Sequence, residues 1–528
     1  MSIKKRLLKQ QYWEYLLPAL AVTSLLISCV IVSSKKFFWN DELLAFYLLN
    51  DRSLPHMLIA WSDKFNQAPP LYFILGWFWD KIFGSTELSL RLFSSVSLGL
   101  ACVIVWRVLR RTYDFWSTTV GTLSVFCLSR IVLYQNAELR MYGLFATVCA
   151  FGLQQFDTIN RRQKYSWGFL LINSLIHSAI VLTHLYGVFY SAAILSAFIA
   201  RDIYFRIFRK DVYVSVLIGW IILVPLVPVI INQSNNSAKW FQLFSSSQFI
   251  DMLIPFPKLV WFIPALLFIS ILLYITEAKT EFEIAYRTQS KFMSEISLLI
   301  FAVSFMLVPV IAWVITMTLK PLLNDRYIIP TITLSWAIFL TYLTSLIIPG
   351  FRAVGRPRFP LFNLRTGLLS VLTLAILLCP IYYAKQFSYY LQKPGVNDLS
   401  YGYSELPIAL EAGHDFLPRF YYSSKPSRYF HILDWETALG NIRSPYATGD
   451  YIHLNALSRN YPFIQSIQST EFLQRYSRFL VLNEKDQKWF EARIENNPDY
   501  QIKPLGLEQG AIDPLTMSLT MFLVERRR

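Results

Sequence analysis

Apolar runs of about 20 residues recur along most of the chain, separated by short polar segments. A helix of that length crosses the hydrocarbon core of a bilayer, and it satisfies its backbone hydrogen bonds internally. Only 16% of the residues are charged, against about 25% in soluble domains. The sequence therefore predicts an all-α polytopic membrane protein with about 11 transmembrane helices. The predicted spans are residues 14–34, 88–109, 115–134, 141–158, 166–183, 186–201, 211–231, 258–276, 295–317, 326–347 and 366–384.

Basic residues lie in short clusters next to these runs. The formal net charge of +15 alone would suit a nucleic-acid partner, but this clustering is the positive-inside pattern of membrane proteins and argues against one. It predicts a cytoplasmic N-terminus and insertion into a cell membrane, with a bacterial inner membrane as the expected location. The predicted inner clusters are Arg107, Arg110 and Arg111; Arg161, Arg162 and Lys164; Arg201, Arg206, Arg209 and Lys210; and Arg352, Arg356, Arg358 and Arg365.

Two regions are predicted to lie outside the membrane. Residues 69–83 are apolar but short, begin with two prolines and contain Asp80 and Lys81, so we expect an interfacial helix within a first outer loop, residues 35–87. Residues 1–384 form the predicted transmembrane domain. Residues 385–528 are richer in charge, Pro and Gly, and alternating stretches at 479–482 and 521–524 predict strands. We therefore expect a soluble extracytoplasmic α/β domain at the C-terminus.

Carboxylates occupy two predicted outer positions, where burial of an ionisable group is costly and often serves a function. Asp41 and Glu42 follow the first span, and Glu138 and Arg140 lie in the turn between the third and fourth spans. Taken alone, the first pair can simply cap a helix, and the second can be a surface ion pair. Their significance is that all four residues lie on the same predicted face of the membrane.

Cationic and aromatic residues share that predicted face. His184 lies at the outer end of the fifth span, and Arg326 and Tyr327 open the tenth. A single histidine is commonly a core residue, and an arginine at a span end can extend to the lipid headgroups. With Tyr142 beside Arg140, the sequence nevertheless predicts one outer site that holds carboxylates, arginines, a histidine and tyrosines.

The order of these motifs resembles the GT-C glycosyltransferases, specifically bacterial relatives of protein O-mannosyltransferases and of the lipid A aminoarabinose transferase. The resemblance covers residues from about 10 to 385. It rests on Asp41-Glu42, on Ala-Pro-Pro-Leu-Tyr at 68–72, on Phe-Gly-Ser-Thr-Glu at 83–87 followed by Arg91, on Glu-Leu-Arg-Met-Tyr at 138–142, and on Arg326-Tyr327. The chain departs from the family at Gln67-Ala68, where the aminoarabinose branch has a lysine and many mannosyltransferase relatives have a histidine before the prolines.

The resemblance implies a polyprenyl-phosphate sugar as donor, with transfer of a single sugar to an acceptor hydroxyl and inversion at the anomeric carbon. A phosphate leaving group needs positive charge nearby, which implies roles in donor binding for Arg140 and Arg326, and for His184 or Lys81. Asp41 is the implied general base, and Glu42 and Glu138 would orient the base or the acceptor. Tyr142 and Tyr327 are implied to contact the substrate.

No His, Cys or Asp cluster has the spacing of metal ligands, so the sequence requires no cofactor. A divalent cation shared by Asp41 and Glu138 stays open.

Three other functions stay open. A lipid-linked glycan polymerase or ligase also uses outer arginines, and an inactive relative would act as a scaffold. A membrane transporter is the main alternative from another class, although transporters place ionisable groups near the midplane of the membrane.

Overall fold

The computed structural model describes most of the chain and shows two compact units. The first comprises residues 1–31, 91–224 and 242–385, and the second comprises residues 32–90, 225–241 and 386–528. The described residues are 14–65, 68–162, 164–234, 245–256, 289–319, 323–347, 364–387, 403, 405–434, 447–484, 489–509 and 518–527.

The part of the chain before residue 388 is helical wherever it forms regular structure in the described residues. The α-helices are α1 Leu16–Ser33, α2 Asn40–Leu49, α3 Leu54–Ala60, α4 Leu71–Phe83, α5 Glu87–Arg110, α6 Phe115–Leu128, α7 Arg130–Asn136, α8 Tyr142–Asn160, α9 Trp167–Thr183, α10 Gly187–Tyr204, α11 Lys210–Trp220, α12 Val227–Ser234, α13 Ser246–Leu253, α14 Gln289–Thr318, α15 Trp336–Ile347 and α16 Leu364–Phe387. Short π and 3-10 segments at Trp61–Phe65, Ile221–Leu226, Asp325–Ile328 and Thr331–Ser335 complete this region.

Six of the described helical segments are long and apolar enough to cross a membrane: Leu16–Ser33, Glu87–Arg110, Gly187–Tyr204, Lys210–Ile231, Lys291–Thr318 and Gly367–Gln386. Helices α6 and α7 would form a seventh span, bent by 63° where Ser129 has an extended backbone. The predicted spans at 166–183 and 326–347 contain shorter apolar helices, and 141–158 corresponds to α8. The span predicted at 258–276 lies outside the described residues. The chain is thus a multi-pass membrane protein, and the figure of about 11 spans stays a prediction.

Small residues bring the helices of the first unit close together. A Cβ on Gly121 would lie 2.5 Å from the backbone nitrogen of Thr341, and one on Gly143 would lie 2.4 Å from the backbone oxygen of Ser94. Helix α6 therefore packs tightly against α15, and the start of α8 packs against α5. This use of small residues is typical of membrane helix packing.

Two buried carboxylates neutralise part of the predicted inner clusters. Asp157 accepts hydrogen bonds from Arg111 at 2.9 Å and from Arg161 at 2.8 Å. Asp202 pairs in the same way with Arg201 and Arg209, 3.1 Å and 2.5 Å away. The arginines therefore stabilise the fold as well as contributing to the charge pattern. The predicted basic residues at 352, 356 and 358 lie outside the described residues.

The second unit combines residues 32–90, which contain the predicted first outer loop, with a C-terminal α/β region. Its sheet has the strand order β3-β2-β1-β4-β6-β5; β1 to β4 are parallel, and β6 pairs antiparallel with β4 and β5. Strands were expected at 479–482 and 521–524, and the structure confirms both. The elements are β1 Ile408–Leu410, α17 Gly413–Tyr422, β2 Tyr429–Leu433, α18 Ala447–Asn460, β3 Ser466–Gln468, α19 Ser469–Arg475, β4 Arg478–Glu484, α20 Trp489–Glu495, β5 Tyr500–Gln509 and β6 Ser518–Arg526.

Helix α4 occupies the segment predicted to lie at the membrane interface. It has 13 residues, too few to cross a hydrocarbon core of ~30 Å. Tyr72, Phe73 and Asp80 on one face are buried, whereas Phe78 and Ile82 are 47% and 70% exposed. Such a two-faced helix suits the surface of a bilayer.

Candidate active site

The turn that carries Glu138 and Arg140 is held by hydrogen bonds to neighbouring helices. Ser94 Oγ donates to the carbonyl oxygen of Arg140 at 2.9 Å. Asn136, which is fully buried, donates to the carbonyl oxygen of Leu25 at 2.8 Å and accepts from Ser95 at 2.9 Å. The turn therefore has a fixed backbone. Glu138 is buried within it, at 1% exposure, while Arg140 is partly exposed.

Aromatic rings surround His184, which lies in the turn between α9 and α10. The distances from its ring centroid are 4.8 Å to Tyr327, 5.0 Å to Phe145, 5.8 Å to Tyr186 and 5.9 Å to Tyr142. These residues come from three separate segments of the chain. The structure thus brings together three predicted site residues, His184, Tyr142 and Tyr327.

Two guanidinium groups act on this histidine. Burial, with added contributions from the charges of Arg140 and then Arg326, lowers the pKa of His184 to about 3. The imidazole is therefore neutral at physiological pH. Its Nδ1 accepts a hydrogen bond from the backbone N–H of Tyr186 at 3.0 Å, so the ring proton lies on Nε2. A neutral N–H donor therefore lies beside two cations, a combination that suits a phosphate.

Arg326 and Tyr327 are positioned by polar contacts within their own segment and from α10. Asn324 Oδ1 lies 3.3 Å from both the backbone nitrogen and Nε of Arg326. The Arg326 guanidinium carbon is 6.0 Å from the centre of the Tyr142 ring. Tyr190, which sequence analysis did not identify, has its hydroxyl 3.4 Å from the carbonyl oxygen of Tyr327 and 2.9 Å from Thr331 Oγ1.

The two predicted carboxylates of the outer loop lie in the first turn of α2, in the second unit. Glu42 is fully buried; its Oε2 accepts from the Trp39 N–H at 3.4 Å and lies 3.9 Å from Lys36 Nζ. Glu42 therefore caps the N-terminus of α2, which is the role considered for this pair in the sequence. Asp41 is only partly buried. Of the two, Asp41 is the more accessible to a substrate.

Lys81 is predicted to bind the sugar donor. In the structure it contacts two residues of its own helix, α4. Its Nζ lies 2.9 Å from Asp80 Oδ2 and 5.3 Å from the Trp77 ring centre. Its role in donor binding stays a prediction. Gln67, the position at which the chain departs from the family pattern, lies outside the described residues.

Sequence analysis also missed a polar network around Asp51, just after α2. This buried carboxylate accepts from the Tyr461 hydroxyl at 2.7 Å, from the Ser53 N–H at 2.9 Å and from His56 Nδ1 at 2.5 Å. Asp51 and Tyr461 are far apart in sequence, so no local pattern indicates their contact. Among the described residues, no group of three His, Cys, Asp or Glu side chains is placed to hold a metal ion.

Comparison with known proteins identifies the fold. No protein-family model and no curated protein matches the sequence. The structure is similar to crystal structures of ArnT from Cupriavidus metallidurans, bound to undecaprenyl phosphate and in the apo state. The TM-scores are 0.57 and 0.58 at 12% sequence identity; the first match covers 96% of this chain and 97% of ArnT, and the second covers 98% of each.

A second neighbour is the archaeal oligosaccharyltransferase AglB from Archaeoglobus fulgidus, in complex with an inhibitory peptide and a dolichol-phosphate. It matches with a TM-score of 0.45 and 13% identity, over 83% of this chain and 64% of AglB. ArnT is an aminoarabinose transferase of the GT-C superfamily. Because the similarity to ArnT covers nearly the whole chain, this protein has the same fold as ArnT, as the resemblance of its motifs implies.

Proposed function

We propose that this chain is a membrane glycosyltransferase that moves a single sugar from a polyprenyl-phosphate donor to an acceptor hydroxyl. The observation that carries the proposal is the cluster itself: the Tyr142 ring lies 5.9 Å from the His184 ring and 6.0 Å from the Arg326 guanidinium. The charges of Arg140 and Arg326 both contribute to the lowered pKa of His184. The ArnT structure bound to undecaprenyl phosphate supports a lipid phosphate as the ligand of this cluster. The proposed reaction takes place on the extracytoplasmic face, with the N-terminus in the cytoplasm of a bacterial cell.

The chemistry of the donor explains the cationic cluster. The bond between the anomeric carbon and the phosphate oxygen breaks, and its electron pair leaves with the phosphate. That group needs no general acid, but its growing negative charge must be neutralised. Arg140 and Arg326 would supply hydrogen bonds and charge to the phosphate, and His184 Nε2–H would supply a neutral hydrogen bond. Lys81 would also contact the phosphate of the sugar donor. We expect its contribution to be smaller than that of the arginines, because it pairs with Asp80.

Asp41 would supply the general base. The acceptor oxygen bonds to the anomeric carbon opposite the departing phosphate, which inverts the configuration, and its proton passes to the Asp41 carboxylate. One base is sufficient, since the leaving phosphate takes no proton. Glu42 would orient this base, because it holds the N-terminal turn of α2, and Glu138 would orient the acceptor.

The aromatic residues suit the sugar. The rings of Tyr142 and Tyr327 have centroids 6.3 Å apart and planes inclined by 29° to each other. They flank the histidine, so a sugar attached to a phosphate held there would meet their rings. The cluster residues lie in turns or at helix starts rather than in the middle of helices. That placement favours transfer at a membrane surface over transport through it.

The test uses the purified protein in detergent with bacterial membranes as acceptor. Labelled polyprenyl-phosphate hexose, pentose and aminosugar are supplied separately, and released polyprenyl phosphate is measured together with label transferred to the acceptor. The proposal predicts turnover with at least one donor class. It also predicts binding of undecaprenyl phosphate that weakens about 10- to 100-fold in Arg140→Ala and Arg326→Ala.

The matched control is Arg107→Ala. It removes an exposed arginine near the C-terminal end of α5, whereas the Arg140 turn contacts Ser94 near the start of that helix. Its affinity for undecaprenyl phosphate should equal that of the wild type. Equal affinity in all three variants and the wild type would reject the phosphate site.

A further inference from the structure

Residues of the C-terminal region contact both ends of helix α2, which carries Asp41. The Tyr422 hydroxyl accepts a hydrogen bond from the backbone N–H of Phe38 at 2.7 Å, two residues before the helix begins. The Tyr461 hydroxyl lies 3.0 Å from the carbonyl oxygen of Tyr47 and 2.7 Å from Asp51 Oδ2, at the end of the helix. All of these contacts lie within the second unit.

The contact at the N-terminal end is made by one hydroxyl that serves two partners. While accepting from Phe38, the Tyr422 hydroxyl donates to Glu87 Oε1 at 2.9 Å. Its ring meets the edge of Phe37 at 5.0 Å. The neighbouring ring of Tyr421 packs edge-on against Phe46 at 5.1 Å. Tyr422 therefore ties the start of α2 to the other end of the outer loop, where Glu87 begins α5.

The contact at the C-terminal end is a buried network. The Asp51 carboxylate takes hydrogen bonds from Tyr461, Ser53 and His56, and the Tyr461 ring lies 5.8 Å from Tyr47 and 5.6 Å from His56. A third attachment lies further along the loop, where Arg459 and Asn460 bind Asp63 at 2.8 Å and 2.9 Å. C-terminal residues therefore contact the predicted outer loop at Phe38, at Tyr47 and Asp51, at Asp63 and at Glu87.

We infer that the C-terminal domain positions α2 for catalysis, with Tyr422 as the main positioning residue. This inference rests on the proposed function, in which Asp41 is the base. A helix of 10 residues is only marginally stable by itself, so its position depends on tertiary contacts. Proton transfer is sensitive to placement, and a shift of about 1 Å can cost about 100-fold in rate. The Tyr422 hydroxyl restricts the position of Asp41, because it binds the backbone three residues before it.

The test compares Tyr422→Phe with a matched control. The substitution removes both hydrogen bonds and keeps the ring contacts. Tyr500→Phe removes a hydroxyl in the same domain that lies 3.5 Å from the Leu473 carbonyl oxygen. With the best donor from the labelled panel, we expect Tyr422→Phe to lower kcat about 10-fold, with donor KM and undecaprenyl phosphate affinity within about 2-fold. Tyr500→Phe should match the wild type.

A second readout follows the helix directly. Amide hydrogen exchange of peptides covering residues 36–42 should become faster in Tyr422→Phe, because Phe38 loses the acceptor of its N–H. It should not change in Tyr500→Phe. If Tyr422→Phe does not yield folded protein, Glu87→Ala is used instead, because it removes the other partner of the same hydroxyl. It should likewise lower kcat while leaving the donor KM nearly unchanged.

The effect must also depend on Asp41. In an Asp41→Asn background, Tyr422→Phe should cause no further loss of the residual kcat, because no base is left to position. A wild-type kcat in Tyr422→Phe, a change confined to KM, or an equal proportional loss in both backgrounds would overturn the positioning role. Full activity of Asp41→Asn would instead reject the base assignment, so the two failures are distinguishable.

Discussion

The backbone N–H of Tyr186 donates a hydrogen bond to Nδ1 of His184 at 3.0 Å, and this contact sets the chemistry of the histidine. With Nδ1 as acceptor, the neutral ring presents an Nε2–H donor. Burial and the nearby arginines hold its pKa at about 3. The cluster therefore offers two cationic donors and one neutral donor that keeps the same state over the physiological pH range.

Replacing His184 tests this donor role. His184→Phe keeps an aromatic ring and removes the N–H, so the Kd for undecaprenyl phosphate at pH 7 should rise about 10-fold. His184→Gln keeps a neutral donor and should stay within about 3-fold. A Kd near the wild-type value in His184→Phe, together with a weakened Kd in His184→Gln, would show that the ring, rather than its N–H, matters.

The lowered pKa of His184 also predicts a pH effect on stability. The unfolded chain binds a proton near pH 6.5, whereas the folded protein does so only near pH 3. The stabilising contribution is therefore complete above pH 6.5 and is lost as pH falls towards 3. Wild-type thermal stability should fall between pH 7 and pH 4.5 more steeply than that of His184→Phe. Parallel profiles would contradict the neutral buried state.

Arg326 should require its guanidinium geometry as well as its charge. Arg326→Lys keeps the positive charge but cannot form two parallel hydrogen bonds to a phosphate. We expect its affinity for undecaprenyl phosphate to lie between those of the wild type and Arg326→Ala, about 3- to 5-fold below the wild type. An affinity equal to that of the wild type would show that positive charge alone is sufficient and would contradict the need for the guanidinium geometry.

Glu42 and Asp41 should respond differently to an amide. Glu42 acts through the Trp39 N–H, and a glutamine oxygen can accept the same hydrogen bond. Glu42→Gln should therefore keep more than about a third of kcat, while Glu42→Ala should lose about 10-fold. Steady-state kinetics with the labelled donor measure both. If Glu42→Gln were as inactive as Asp41→Asn, the capping role alone would not explain Glu42, and both carboxylates would be candidates for the base.

A buried acid in the C-terminal domain makes its stability depend on pH. Glu411 follows β1 and accepts backbone hydrogen bonds from Trp489, Phe490 and Glu491 at 2.9 Å, 3.0 Å and 3.3 Å. Burial raises its pKa to about 8, against the opposing effect of these bonds.

The folded state therefore holds the Glu411 proton over a range in which the unfolded chain has lost it. Stability is greatest below the ordinary pKa and falls as pH rises towards 8, by at most ~1.4 kcal/mol per pH unit. Glu411→Gln should flatten this slope between pH 5 and pH 8. Hydrogen exchange of the β1 and α20 peptides in the full chain measures it, and an unchanged slope in the variant would contradict the protonated state.

Patterns read along the sequence predicted the features that depend on local composition. The hydropathy of α1 and α5 indicated their spans, and the short, charged segment at 69–83 indicated a helix unable to cross the membrane. The bend at Ser129 was missed, because neither glycine nor proline marks it. An extended residue between two apolar helices leaves no signature in hydropathy.

The candidate site was predictable where its residues carry charge next to the membrane or, as with Tyr142 and Tyr327, lie close in sequence to a residue that does. Arg140, His184 and Arg326 were identified because ionisable groups at span ends are costly. Tyr190 and Tyr422 were not, since tyrosines are common in such a chain and their roles arise from contacts between distant segments. The Tyr422–Phe38 hydrogen bond joins residues 384 positions apart. Contacts of that kind are set by tertiary packing, which a single sequence does not reveal.

The most direct test of the account separates chemistry from binding in Asp41→Asn. The amide is nearly isosteric but accepts no proton, so kcat with the labelled donor should fall by about 100- to 10,000-fold. The Kd for undecaprenyl phosphate should remain within about 2-fold of the wild type, because the arginine cluster is intact. A kcat within 3-fold of the wild type, or a matching loss of undecaprenyl phosphate affinity, would contradict the assignment of Asp41 as the catalytic base.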